Sequence, residues 1–229
     1  MALKYFDAQY YLQMNSDVKT AITNGQFANA EEHYLKYGEK EGRNPNAFFN
    51  TNYYVNNNAD VKAAVTANPN FSAYQHFLDF GQNELRNPNP MIDLSYYLQK
   101  NNDIASAVYR NDVHPFDHLM TSGQYEMRIT TPYFSATNYI SASTQGDLKS
   151  TVESKAISSL EHFLRYGVSE NRNWGNGVSY SDFIQDTTFS QAIFTKDVGT
   201  ALARVAAVEP FLPTFTASTS DYVVPSTLS

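Results

Sequence analysis

The sequence predicts an all-α chain: an array of four three-helix repeats of about 43 residues, then a degenerate capping half-repeat and an extended tail. Three observations predict it. The stretch His33-Tyr-Leu-Lys-Tyr-Gly38-Glu-Lys-Glu41-Gly-Arg43 returns at His76 to Arg86, His118 to Arg128 and His162 to Arg172, each time as His-x4-Gly-x2-Glu-x-Arg without an insertion. A motif recurring at this interval marks a repeat architecture, in which each supersecondary unit buries its apolar face on its neighbours. Ahead of the first three copies stand a tyrosine pair and then an Asp followed by an aliphatic residue: Tyr10-Tyr11 and Asp17-Val18, Tyr53-Tyr54 and Asp60-Val61, Tyr96-Tyr97 and Asp103-Ile104. Finally, the 229 residues are 42% hydrophobic and 14% aromatic, enough to fill a substantial core.

In the first repeat, Asp7 is placed to cap a helix carrying Tyr10, Tyr11 and Leu12. Ser16 or Asp17 caps a second helix, whose Val18 and Ile22 lie four apart on one face. The third helix runs from about Asn29 through His33 and Tyr37 and stops at Gly38, where glycine tolerates a left-handed backbone. Asn44-Pro45 then turns the chain out of helix. The plan repeats over about 47–90, 91–132 and 133–173, the last being the most divergent, with Tyr139 and Asp147-Leu148 as its remnants. Four repeats thus occupy 1–177, a capping unit 178–209 with a final helix of roughly Val198 to Val208, and a Pro/Ser/Thr-rich arm or linker 210–229, the character of a fragment of something longer.

A net charge of −7 and a pI near 5.1 argue against nucleic acid and anionic lipid as direct partners. No window approaches 18 consecutive apolar residues, and Met1 to Phe6 lacks the apolar core of a secretory signal, so neither membrane insertion nor an N-terminal export signal is expected. The absence of cysteine excludes disulfides and thiolate metal sites.

Four histidines, His33, His76, His118 and His162, share one repeat position. Stacked units set equivalent positions roughly 10 Å apart, too far for shared metal ligation, so each imidazole is expected to pack on aromatics and donate a hydrogen bond within its unit. Glu41, Glu84, Glu126 and Glu170 precede Arg43, Arg86, Arg128 and Arg172 by two residues. Each acid arrives with its own cation, which suits a structural latch to orphan backbone groups or to the adjoining repeat better than acid-base catalysis. Asp17, Asp60, Asp103 and Asp147 are weak calcium candidates, with helix capping as the plainer role. No catalytic or phosphate-binding motif occurs, so no enzyme is expected. Trp174, the only tryptophan, flanked by Asn173 and Asn176, has the chemistry of a sugar platform, an aromatic face beside amides.

The run Phe6-Asp-x-x-Tyr-Tyr-Leu-x-x-Asn-x-Asp-Val18, followed by His33-Tyr-Leu-x-x-Gly-x-x-Glu-Gly-Arg-Asn-Pro45, resembles a bacterial repeat known in two settings. One is the N-terminal part of large calcium-associated surface proteins of Gram-negative bacteria, S-layer and RTX-type adhesins exported by type I secretion. The other is an accessory segment beside glycosyltransferase domains that build surface polysaccharides. The likeness spans residues 5–173. It implies an extracellular, cell-surface anchoring domain that binds lipopolysaccharide or another surface polysaccharide. Calcium is the one candidate cofactor, none being required, and self-association would run through the remainder of a longer chain. The alternatives are a protein-binding helical scaffold and an accessory module of a glycosyltransferase.

Overall fold

The computed structural model describes residues 3–132, 134–142, 146–170, 172, 174, 179–195 and 197–208. The chain is all-α: helices dominate, and no β-strand forms among the described residues. Two compact units divide it, Met1–Pro90 and Met91–Ser229, and the division falls where the second and third repeats were expected to meet.

Each occurrence of the motif ends the same succession of elements. A first helix, α1 (Ala8–Met14), α4 (Thr51–Asn57), α7 (Leu94–Lys100) or α10 (Ala136–Ala142), is followed by α2 (Ser16–Thr23), α5 (Ala59–Ala67), α8 (Asn102–Tyr109) or α11 (Gly146–Glu153). Then comes one short turn of α-helix, α3 (Ala30–His33), α6 (Ala73–His76), α9 (Pro115–His118) or α12 (Ser159–His162). Each of these widens without a break into a π-helical turn, π1 (Tyr34–Gly38), π2 (Phe77–Gly81), π3 (Leu119–Gly123) or π4 (Phe163–Gly167).

The first helices start as anticipated. Asp7 accepts from the Tyr10 amide at 2.8 Å, and Asn50, Asp93 and Ser135 do the same for α4, α7 and α10. The second helices do not. Their N-cap is Asn15, Asn58 or Asn101 in α2, α5 and α8, and neither Ser16 nor Asp17 takes that place. The asparagine side chain turns backwards instead, its Nδ2 donating to the carbonyl of Tyr11, Tyr54 or Tyr97 at 2.6–2.7 Å, so one residue splices the corner between two helices.

The motif glycine also has a different job from the expected one. Gly38 is not left-handed; a methyl group there would lie 2.0 Å from Tyr11 Oη, and the distances at Gly81, Gly123 and Gly167 are 2.1, 2.2 and 2.3 Å from the hydroxyls of Tyr54, Tyr97 and Tyr139. Glycine is used because a tyrosine hydroxyl presses on the helix backbone. The left-handed residue sits four positions later, at Gly42 (φ 72°), Leu85 (φ 56°) and Met127 (φ 54°). There Gly42 N bonds Glu39 O and Arg43 N bonds Gly38 O, a Schellman closure that satisfies the last carbonyls of the helix.

Each segment ties its beginning to its end through the backbone. Asp7 N donates to Pro45 O at 3.0 Å, Asn50 N to Pro88 O, Asp93 N to Thr130 O and Ser135 N to Trp174 O. Inside, the fully buried Tyr11, Tyr54 and Tyr139 rings meet Tyr34, Phe77 and Phe163, Tyr97 and Leu119 are as deeply buried, and Val18, Val61, Ile104 and Leu148 of the second helices are buried as well. Burying each such side chain contributes about 1.5–3 kcal/mol.

In the second unit the chain continues from π4 through Trp174 to a 3₁₀ turn at Tyr180–Asp182, then α13 (Thr187–Phe194) and α14 (Val198–Val208). The final helix matches expectation. Asp186 caps α13, accepting from the Phe189 amide at 2.9 Å. Residues 210–229, expected as an arm, lie outside the described residues.

Candidate functional site

The recurring polar side chains converge, segment by segment, at the corner between the first and second helices. Tyr11 Oη contacts His33 Nδ1 at 2.9 Å, and the pairs Tyr54–His76, Tyr97–His118 and Tyr139–His162 repeat it at 3.0, 2.7 and 2.9 Å. Burial pushes the Tyr11, Tyr54 and Tyr139 phenols well above their ordinary range and lowers the His33 and His118 imidazoles. At the Tyr11–His33 contact a neutral imidazole and a protonated phenol fit one arrangement, the hydroxyl donating to Nδ1, so the ring accepts here where it was expected to donate. The imidazoles also pack on aromatics, His33 against Phe27 and Tyr37 and His76 against Phe71 and Phe80.

The arginine completes the corner. Arg43 Nε donates to Glu41 at 2.6 Å, Nη1 to Asn15 Oδ1 at 2.9 Å, and Nη1 and Nη2 grip both oxygens of Asp17 at 2.9 and 2.7 Å. Arg86 holds Glu84, Asn58 and Asp60, and Arg128 holds Glu126, Asn101 and Asp103. Arg172 holds Glu170; the Asp147 side chain lies outside what the structure describes. Hydrogen bonding to arginine is the largest influence on Asp17, Asp60 and Asp103 and lowers each carboxyl below its ordinary value, Asp60 to about 2. The latch therefore differs from the expected one. In the bonds described, it clasps the exit of the third helix to the second helix of its own segment, side chain to side chain.

These contacts bear on the calcium candidates. Asp17, Asp60 and Asp103 each meet an arginine and stand in separate segments, and among the described residues no three His, Asp or Glu side chains gather as a metal cage. Trp174 does not present an open ring to a sugar. It is 0% exposed, stacked on Phe183 at 5.4 Å and edge-on to Phe163 at 5.7 Å, with Nε1 donating to Gly167 O. Its residue type suited a platform, but its place between two phenylalanines makes it core. Asn173 and Asn176 lie outside the described residues.

The residues that join one segment to the next were not singled out from sequence. In the first unit, Glu39 Oε1 accepts from Ser72 Oγ and from Tyr74 N, at the start of α6. Asn46 bonds Tyr5 O and Tyr74 Oη, and its Oδ1 accepts from Phe48 N and Phe49 N. In the second unit Gln124, the counterpart of Glu39, accepts from Ser158 Oγ at 2.8 Å. A signal existed: the residue after the motif glycine is Glu39, Gln82 or Gln124 in three copies, and only Val168 breaks it.

Between the first two segments lies a groove of about 360 Å³, its lining including Lys40, Glu41, Asn52, Val55, Val65 and Phe71. Lys40 is held by Asn70 at 3.0 Å and Glu41 by Arg43, while the exposed Asn52 amide has no partner among the described residues. A broader hollow of about 510 Å³ lies along α13 and α14, rimmed by Thr187, Thr188, Gln191, Thr195, Asp197 and Thr200.

Fold and site together define an all-α chain with a polar joint recurring at each motif. Comparison with protein-family models, with curated proteins and with solved structures finds no match. No helix among the described residues is long and apolar enough to cross a membrane.

Proposed function

We propose that the chain is an array of four three-helix repeats closed by the α13–α14 pair, and that it is a non-enzymatic anchoring domain of a secreted S-layer or adhesin-like surface protein. Its ligand in this reading is lipopolysaccharide or another surface polysaccharide. The motif's histidines, glutamates and arginines are consumed in joints, which leaves recognition to the surface between segments. The observation that carries the reading is the groove between the first two segments, lined by the Asn52 amide together with Val55, Val65 and Phe71. A pyranose offers the matching combination of hydroxyl edge and apolar face. Because the chain carries −7, an acidic polysaccharide would require a bridging cation such as calcium.

Titration of the full chain with purified lipopolysaccharide, with and without a chelator, tests this. Asn52→Ala and Phe71→Ala are each expected to weaken binding about tenfold, the effect of losing one well-placed contact of about 1.4 kcal/mol. Unchanged affinity in both variants removes the groove from the reading, and affinity indifferent to chelation removes the calcium bridge.

A second reading, a protein-binding scaffold, is favoured by Leu35, Tyr37 and Phe80, apolar side chains 52%, 43% and 59% exposed on π1 and π2. Retention of a defined protein that Leu35→Ser with Phe80→Ser abolishes, without any retention of polysaccharide, would select it.

A further inference from the structure

Gly42 is a glycine that its own turn does not require. The left-handed position it fills carries Leu85 and Met127 in the second and third copies of the motif, at φ 56° and 54° against 72° here, so this backbone accepts a side chain. What sets the first copy apart lies on α4. A Cβ at Gly42 would stand 2.7 Å from Asn52 Oδ1 and 3.5 and 3.6 Å from Asn52 Cγ and Nδ2, so the amide head lies against the bare backbone of the turn. In the second unit the same two positions hold Met127 and, as the second residue of α10, Thr137, which has no amide to seat. The pair is also fixed from behind. Thr51, next to Asn52, donates from Oγ1 to Arg43 O at 3.0 Å and from its backbone amide to Asn44 Oδ1 at 2.9 Å, so the turn and the start of α4 are tied on both flanks of the contact.

We propose that Gly42 is the positioning residue of the groove: its missing side chain seats the Asn52 amide in the groove wall, ready to bond an oxygen of the polysaccharide, and a side chain at this turn displaces that amide. The assignment of the ligand rests on the polysaccharide reading above. The other polar side chains of the lining are already engaged. Glu39 accepts from Ser72, Lys40 donates to Asn70, Glu41 accepts from Arg43 and Thr51 donates to the Arg43 carbonyl. The Asn52 amide is exposed and bonded to nothing among the described residues. Packing against Gly42 therefore holds it while its two N–H donors stay available, and a donor placed in advance loses less freedom when a ligand arrives. A methyl group at position 42 reverses this. Its contact with Oδ1 is relieved by swinging the exposed Asn52 head into another rotamer, which carries the donors away from their place.

A double-mutant cycle on the full chain, titrated with purified lipopolysaccharide, tests the coupling. Gly42→Ala and Asn52→Ala should each weaken binding about tenfold, and the double variant no more than either single, because both remove the same seated amide. Gly42→Met repeats the test with a side chain that the same turn carries at Met127, should alanine disturb the fold. The seating itself is read without ligand. Nitrogen relaxation of the Asn52 side-chain amide should show it restrained in the wild type and mobile in Gly42→Ala, while the buried Asn46 amide, bonded to Tyr5 O and Tyr74 Oη, stays fixed in both. Gly42 variants that bind as the wild type does overturn the proposal. So do losses that multiply to about a hundredfold in the double variant, or an Asn52 amide equally restrained with and without the methyl group. A wild type that ignores lipopolysaccharide, while Gly42→Ala still loosens the Asn52 amide, refutes the polysaccharide reading and leaves the seating in place.

Discussion

Gly81 shows how much a single missing methyl group decides. The Tyr54 hydroxyl occupies the space a Cβ would need, 2.1 Å away, and the same hydroxyl holds the His76 ring, so the helix backbone, the phenol and the imidazole form one packed contact. Gly81→Ala is expected to cost about 1–3 kcal/mol by overpacking, read as a lowered urea midpoint at unchanged slope. Tyr54→Phe in the same chain removes the clashing atom, so the double variant should lose clearly less than the sum of the singles. Simple additivity would mean that the glycine serves some other purpose. The composition of the motif hid this, because a glycine at the end of a helical pattern is ordinarily read as a left-handed stop. The true left-handed positions carry Gly42, Leu85 and Met127, and two of those three residues give no local sign of it.

At the scale of the helix, the arginine clasp fixes where the second helix begins relative to the end of the third. The Arg128 side chain is 6% exposed and the Arg86 side chain 23%, so water screens and replaces the second clasp more readily than the third. Arg128→Met should therefore destabilise by about 2–3 kcal/mol and Arg86→Met by about 1 kcal/mol, with exchange protection lost first at the start of α8 and α5 respectively. The reverse order would show that burial does not govern the clasp. The same variants predict acid behaviour. Asp60 is held down at about 2 by Arg86, so its stabilisation is complete above its ordinary value of 3.8 and disappears as pH falls from there towards about 2. Unfolding followed by circular dichroism should steepen in that window for the wild type, and Arg86→Met should flatten it.

Across the second compact unit, an aromatic line from Phe163 through Trp174 to Phe183 and Phe189 connects π4 to α13, with Asp186 and Arg204 closing α13 onto α14 at 2.5 Å. Trp174→Ala empties the middle of that line and is expected to cost about 3–5 kcal/mol, whereas Trp174→Phe should retain most of the contact. A denaturant series on both variants checks this. Equal, small losses would restore Trp174 as a surface residue with a role outside packing.

Sequence by itself determined the all-α class, the first-helix cap at Asp7 and the span of the last helix. These depend on interactions within a few residues or on a periodicity written into the chain. Tertiary structure alone decided that Trp174 lies in the core, that Asp17, Asp60 and Asp103 belong to arginines, and that Glu39 and Gln124 carry the joints. Each of those outcomes joins side chains 20 or more residues apart, or depends on which ring faces are covered, as in the 26-residue separation of Asp17 from Arg43 and the 34-residue separation of Gln124 from Ser158. Residue type tells what a side chain is able to bond; only packing tells which of its possible partners reaches it first.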